Sequence, residues 1–325
     1  AGGWILLGVA NDLSVQGLRN AEAVKQDLVN ALRNPQKISR DPCAKDGVSV
    51  EEIDGAKIVA MHVRAAPSRE KPVFINGNPY QGTFVRRNEG DYRCTKQEVD
   101  RMIRDAGVDG ADAAMVRGYS WDHINQETFK RYRFQYQSRN PNNPKATYED
   151  ARFMRAIGGH RKDPETGEEG FTRSAILMFG TDEAIQSLRP RHLIDFRRVA
   201  GSNAHENRWE DRLAFEGNLY DAFFQIYPRL TAPLPTPFQL EGPHRLTETS
   251  AHEALREALV NMLAHADYSE QAALLVKASP DEFSFRNPGS SRIPEEDLLT
   301  GDRSDPRNPI IIKMFRHVSL AAAAG

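Results

Sequence analysis

The sequence predicts an α+β protein with more than one domain. Strand-like and helix-like apolar patterns alternate along the chain, and 325 residues exceed what one core fills at about 150 residues per domain. With 39% apolar and 27% charged residues, the composition is that of a chain with real cores rather than a disordered one. The 43 Lys and Arg against 45 Asp and Glu leave a net charge of −2, so a nucleic-acid surface would have to be local. The longest apolar runs, Trp4 to Ala10 and Ser174 to Gly180, fall short of the roughly 18–20 residues of a membrane span. Cys43 and Cys94 alone make neither a disulfide framework nor a cysteine metal site. A soluble, cytoplasmic protein is expected, without a membrane partner.

Trp4 to Val9 reads as a buried strand between glycines, and Asn20 to Leu32 as a helix with an apolar stripe of Ala23, Val24, Leu28, Val29 and Leu32. Val48 to Ile53 and Ala56 to Val63 read as two strands joined by an Asp54-Gly55 hairpin turn. Two further strands are expected over Pro72 to Ile75 and Thr83 to Arg87. Thr95, with Glu98 three positions on, starts a capped helix whose inner face is Val99, Met102, Ile103 and Ala106. Helices follow over Gln126 to Gln137 and Thr147 to Ile157, then a polar loop over 158–170. Ser174 to Phe179 is expected as a strand, Asp182 to Leu188 as a helix, His192 to Val199 as a strand, and Arg212 to Ile226 as one long helix. Pro233, Pro235 and Pro237 mark a stiff connector. The last part is a helix, Ala251 to Ala264, with strands over Ala272 to Ala278 and Glu282 to Phe285.

On that last helix Glu257, Asn261 and His265 stand at i, i+4 and i+8 and share a polar face, opposite Leu255, Leu259, Met262 and Leu263. A carboxylate one turn from a carboxamide suits nucleotide chemistry: the carboxylate orients or deprotonates a water, and the amide oxygen ligates a hard cation such as Mg²⁺. The same spacing also describes an ordinary solvated face. Three blocks in order, Arg256 to Asn261 with His265 to Ser269, then Asn287-Pro288-Gly289, then Arg307-Asn308-Pro309, resemble the C-terminal module of RecG-related, Schlafen-domain transcriptional regulators. That module is similar to the GHKL ATPases. The resemblance implies ATP and Mg²⁺ as cofactors, Glu257 as the water-activating base, Asn261 as the Mg²⁺ ligand, and His265, Asn287 and Gly289 as further nucleotide contacts. It departs at Asn287, where GHKL enzymes read adenine with an Asp; Asn presents only a neutral carbonyl edge. The glycine-rich phosphate lid is missing as well.

Gly2 to Val9, Gly17-Leu18, Lys71 onward and above all Asn78 to Thr95 resemble the Schlafen-type AlbA-like DNA-binding domain. Arg86, Arg87 and Arg93 cluster at a strand end and the turn before a helix, where guanidinium groups and a helix N-terminus suit phosphate. Tyr80 and Tyr92 are candidates for stacking on bases. The alternative is a structural network in which Glu89 and Asp91 neutralise the arginines. Some Schlafen-related domains cut RNA through acidic residues partly upstream of the Gly-Gly strand, but Asp12, Glu22, Glu51, Glu52 and Asp54 show no metal-pair spacing.

Residues 116–145 hold six Lys and Arg against two acids, interleaved with aromatics from Phe129 to Tyr136. Such a strip binds phosphate backbone or single strands, or packs its aromatics inward and leaves its basic groups solvated, the more frequent outcome. Arg189, Arg191, Arg197 and Arg198 form a second strip with the same two readings. His252-Glu253 opens like a zinc-protease motif, but Arg256 stands where the second His is needed. No nucleophile elbow and no Walker-type loop is present.

The expected layout is an AlbA-like α/β domain over 1–115, a helical α+β segment over 116–240, and a GHKL-like α/β sandwich over 241–325. The chain opens without Met and closes on Ala321 to Ala324 and Gly325, so both outer domains are expected to be truncated. The implied protein is a DNA-binding transcriptional regulator with an ATP-binding module, with RNA and a homo-oligomer as further partners. The competing classes are an enzyme, either a slow ATPase or a Schlafen-like nuclease with its acidic site upstream, and an interaction protein with a decayed ATP site.

Overall fold

A two-residue hairpin turn of type I′ needs positive φ at both central positions, and Asp54 (φ 50°) and Gly55 (φ 79°) supply it. They join β2 (Cys43–Ile53) to β3 (Ala56–Val63), with Ile53 opposite Ala56. The computed structural model describes residues 2–87, 90–107, 110–164, 166–199, 209–235, 239–241, 244–246, 249–293 and 305–320. Glu89, Pro237 and the terminal alanines therefore lie outside the described residues. The chain is α+β and divides into two units, Ala1–Val108 with Ser291–Asp305, and Asp109–Ser290 with Pro306–Gly325. Among the described residues no helix is long and apolar enough to cross a membrane.

In the first unit β1 (Gly3–Leu7) adds antiparallel to β3, giving the sheet order β1-β3-β2. Helix α1 (Ala21–Leu32), capped by Asn20 accepting from Ala23 N at 3.1 Å, packs on β2 and β3, where Ile58, Val59, Ala60 and Met61 are buried. The expected burial of the first strand does not hold. β1 is an edge strand, and Trp4 is 65% exposed, with Ile5 and Leu6 nearly half exposed. Pro72 to Ile75 is not a strand; only Ile75 pairs, in a single bridge to Ile38. A short helix α2 (Pro79–Gly82) precedes the ribbon of β4 (Phe84–Arg87) and β5 (Gly90–Arg93). The Thr95–Glu98 capping box opens α3 (Lys96–Ala106); Val99 on its inner face is buried, whereas Ile103 is exposed.

The second unit is built around a four-stranded sheet of order β13-β12-β8-β9. β8 (Ile194–Val199) pairs antiparallel with β9 (Trp209–Phe215) and parallel with β12 (Leu274–Ala278), which pairs antiparallel with β13 (Phe283–Arg286). One sheet thus runs across the expected boundary at residue 240, and residues on both sides of it share one core. The helices before the sheet strands are α4 (Gln126–Arg139), α5 (Asp150–Ala156), α6 (Arg173–Phe179) and α7 (Asp182–Leu188). Within the polar stretch 158–170 the chain forms most of a small hairpin, β6 (His160–Lys162) with β7 (Glu169–Phe171). After β9 come α8 (Leu219–Thr231), the hairpin of β10 (Gln239–Glu241) and β11 (His244–Leu246), α9 (Ser250–His265) and, last, α10 (Pro309–His317). α8 and α10 both pack on α9, and α6 packs against α4, α8 and α10.

Two expectations fail here for physical reasons. Ser174 to Phe179 is helix, not strand: Thr172 caps it by accepting from Ala175 N, and every residue from Ser174 to Phe179 is buried. A helix buried all round has no polar face, so its sequence is a plain apolar run that periodicity cannot assign. The single helix expected over Arg212 to Ile226 is strand β9 followed by α8, which starts where Asn218 accepts from Asp221 N at 2.9 Å. α8 also continues through Pro228 instead of stopping before it.

Candidate functional site

α9 begins at Thr249, whose side chain accepts from His252 N in a capping box. Its apolar side, Leu255, Leu259, Met262 and Leu263, is buried, and Glu257, Asn261 and His265 are half-buried together. The Asn261 amide makes no hydrogen bond among the described residues. Asn261 and Glu257 stand one and two turns before His265, about 6 and 12 Å along the axis.

The helix end is tied to the two later sequence blocks. Arg307, 2% exposed, donates from Nη1 to the His265 carbonyl (3.3 Å) and from Nη2 to the Ser290 carbonyl (3.1 Å). Asn308, buried beside it, donates from Nδ2 to the carbonyls of Ala264 (3.0 Å) and Ala266 (2.8 Å), which the last turn of the helix leaves open. Asp267 N donates to the Pro288 carbonyl at 2.9 Å. His265 and the Asn287-Pro288-Gly289 loop are therefore brought together through Arg307 and Asp267. Asp267 received no role from the sequence, although it stands inside the block that carries the resemblance. It is buried, with Oδ1 accepting from Ser269 N (2.9 Å) and Oδ2 without a partner among the described residues.

Gly289 has φ 101°, and a Cβ there would lie 2.4 Å from Arg307 Nη1 and 2.8 Å from the Asp267 Cβ. Gly289→Ala combines an unfavourable backbone with a clash against buried groups. We expect it to cost about 2 kcal/mol or more in urea unfolding; a loss near zero would show that the loop moves freely away from Arg307.

The ribbon separates the arginines expected to act together. Phe84 faces Arg93, and Arg86 faces Asp91, so these four share one side; Val85, Arg87 and Tyr92 lie on the other. Arg93 sits 6.0 Å from the Phe84 ring centre. Arg86 pairs with Asp91 at 3.2 Å, both more than 60% exposed, as the network reading anticipated. Arg87 is bound instead by Glu98 at 2.6 Å, the same carboxylate that accepts from Thr95 N in the α3 capping box. The Thr95 bonds, with Arg87 and Arg101 adding to them, hold the Glu98 carboxyl below its ordinary range. Tyr92 is 58% exposed, its ring lying over Gly90, whereas the Tyr80 hydroxyl donates to Asp100 (2.9 Å), a bond that raises its pKa.

The basic strips are largely structural. Phe129, Tyr132 and Tyr136 are buried, with the Tyr132 hydroxyl donating to the Met314 carbonyl at 2.9 Å. Arg133 binds Asp150 and the Tyr148 carbonyl. In the second strip Arg189 is buried rather than solvated, donating to the carbonyls of Glu270 (2.9 Å) and Ala272 (2.8 Å). Arg197 and Arg212 together grip the buried Asp195 and stack on Trp209. Burial alone would raise the Asp195 pKa, but the arginine bonds outweigh it and hold the carboxyl low. Among the described residues no group of three or more His, Cys, Asp or Glu could hold a metal ion.

Residues 100–195 match the family described as a domain of unknown function (DUF8451). No curated protein matches the chain. A crystal structure of the DIP2311 protein from Corynebacterium diphtheriae is similar at a TM-score of 0.48 and 16% identity, over 98% of this chain and 59% of that one. The chain thus spans less than two thirds of the length of that protein.

Proposed function

We propose that the chain is a DNA-binding regulator of the cytoplasm that contacts duplex DNA through the β4–β5 ribbon. The observation that carries this reading is the face bearing Arg86, Arg93 and the exposed Phe84 together. A two-stranded ribbon fits a major groove, and arginines at its edges reach phosphates. The Arg86–Asp91 pair is no obstacle, because an ion pair this exposed contributes about 0–1 kcal/mol and yields to a phosphate. Arg87, held by Glu98, contributes less.

The test is fluorescence anisotropy of labelled duplex DNA across a salt series. Arg86→Ala and Arg93→Ala should each weaken binding alike on all sequences and reduce the log–log salt slope by about 0.9. Arg87→Ala should change the slope less than either. Unchanged slopes in all three, with the fold intact, would return the ribbon arginines to a structural network.

A second reading, Mg²⁺-ATP binding along α9, is favoured by the Asn261 amide, which has no hydrogen-bond partner among the described residues, one turn from the half-buried Glu257. These residue types fit the group: the Asn261 oxygen would be a ligand for the Mg²⁺ ion, and Glu257 would orient water. Asp267 Oδ2 adds an open acceptor near the Asn287–Gly289 loop. Asn261→Ala should abolish Mg²⁺-dependent ATP binding, read by calorimetry. Glu257→Ala should keep binding and lose any turnover, because a base acts on the attacking water and barely on the ground state. No heat and no thermal shift at millimolar ATP would overturn this reading.

A further inference from the structure

The outer side of α4 carries a feature that neither the ribbon nor α9 uses. Phe134 is 73% exposed and stands in one helical row with Lys130 and Ser138. Phe224 of α8 is exposed across from it, and between the two helices runs an open groove of about 860 Å³. Its floor is Tyr220 and Gln135, whose polar groups already have partners. The Tyr220 hydroxyl donates to Gln135 Oε1 at 2.7 Å, and Gln135 Nε2 donates to the Val318 carbonyl at 3.1 Å. The Ser138 hydroxyl donates to the Phe134 carbonyl at 2.9 Å, and Arg131 is engaged by Asp221.

The groove therefore offers a ligand apolar walls and two cations. Lys130 and Arg139 have no ion-pair partner among the described residues. Nine residues apart on α4, they stand about 13 Å from each other along the axis. We propose that this groove docks an acidic amphipathic peptide segment of a partner protein. Its apolar side chains fill the space between Phe134 and Phe224, and its carboxylates face Lys130 and Arg139. Charge complementarity selects this occupant. An amphiphile with a single carboxylate satisfies only one of the cations, whereas a helix with acids at both ends meets both. Nucleobases would find ring faces, but the polar groups of the floor that could read their edges are already taken.

The test pans phage-displayed random peptides of about 16 residues on the full chain, with counter-selection on a Phe134→Ser, Lys130→Glu variant. Enriched peptides should combine Asp or Glu with Leu, Phe or Trp at helical spacing. In anisotropy titrations their labelled synthetic forms should bind wild type at least about 10-fold more tightly than Phe134→Ser or Arg139→Glu. Replacing their acids by Lys should remove the same margin. The substituted side chains are exposed, so circular dichroism and melting temperature should match wild type. No enrichment over counter-selection, a basic or uncharged consensus, or equal affinity for the variants would overturn the proposal. So would an oligo-dT strand that binds wild type and is lost in Phe134→Ser, which would assign the groove to single strands.

Discussion

Replacing Asp112 by Asn should make the protein lose about 3 kcal/mol more stability between pH 6.5 and pH 4 than the wild type loses. Much of the acid loss originates at His192, whose ring is buried between Arg189 Nη1, 2.8 Å from Nδ1, and the Gly217 carbonyl, 3.1 Å from Nε2. Nδ1 accepts from the guanidinium, so the single proton sits on Nε2 and a second has no place. Burial, then the Arg189 charge, lowers the His192 pKa from 6.5 to about 4. As pH falls through that window the unfolded chain takes a proton that the fold refuses, and stability drops by up to about 1.4 kcal/mol per pH unit.

Asp112 works in the opposite direction. Its Oδ2 accepts from Ile311 N at 2.8 Å in the first turn of α10, yet burial dominates and pushes its pKa from 3.8 up to about 7. Between those values the fold keeps a proton that the unfolded chain releases, so acidification adds stability, by about 4 kcal/mol in full. The two slopes overlap and oppose each other. Asp112→Asn removes the counterweight and His192→Gln removes one source of the loss. Urea denaturation at pH 4, 5.5 and 7 should thus show a steeper acid slope than wild type in the first variant and a flatter one in the second. Burial and nearby Lys313 and Lys145 also lower His317 to about 4, which adds to the acid decline in every variant. Parallel profiles for wild type and Asp112→Asn would mean that Asp112 is ionised in the fold.

The second large effect is expected at the helix end of the candidate site. Arg307→Met strips the donors from the His265 and Ser290 carbonyls in a buried setting and should cost about 3–5 kcal/mol. Asn308→Ala leaves the Ala264 and Ala266 carbonyls without their side-chain donor and should cost about 2–4 kcal/mol. Both are read by urea unfolding. Losses below about 1 kcal/mol for both would mean that the end of α9 finds other partners.

Local chemistry was legible wherever a few neighbouring residues decide the outcome. The Asp54-Gly55 turn, the Thr95–Glu98 capping box and the buried stripe of α9 are all decided within a handful of positions. Burial from several sides was not legible. α6 lost its helical signature because nothing around it is water, and β1 looked like a core strand although it stands at a sheet edge. The candidate site divides in the same way. The shared face of Glu257, Asn261 and His265 follows from helix geometry alone. The partner that Arg87 finds in Glu98, the burial of Arg189 and the tie that Arg307 makes between two distant blocks depend on how elements meet, which no local pattern records.

The order of the four-stranded sheet bears on how the chain is made. β8 completes its parallel pairing only with β12, some 80 residues later in the sequence. Asp112 and Tyr132, near the start of the same unit, find their partners Ile311 and Met314 on α10. During synthesis the early helices must therefore wait, with apolar faces uncovered, until α10 has left the ribosome. The first unit waits too, since Ser291–Asp305 belongs to it. Contacts this distant in sequence slow folding and lengthen the exposure of unpaired strands. Dividing the chain near residue 240 or 290 would separate β8 from β12, or α6 and α9 from α10, and would leave aggregation-prone halves rather than working domains.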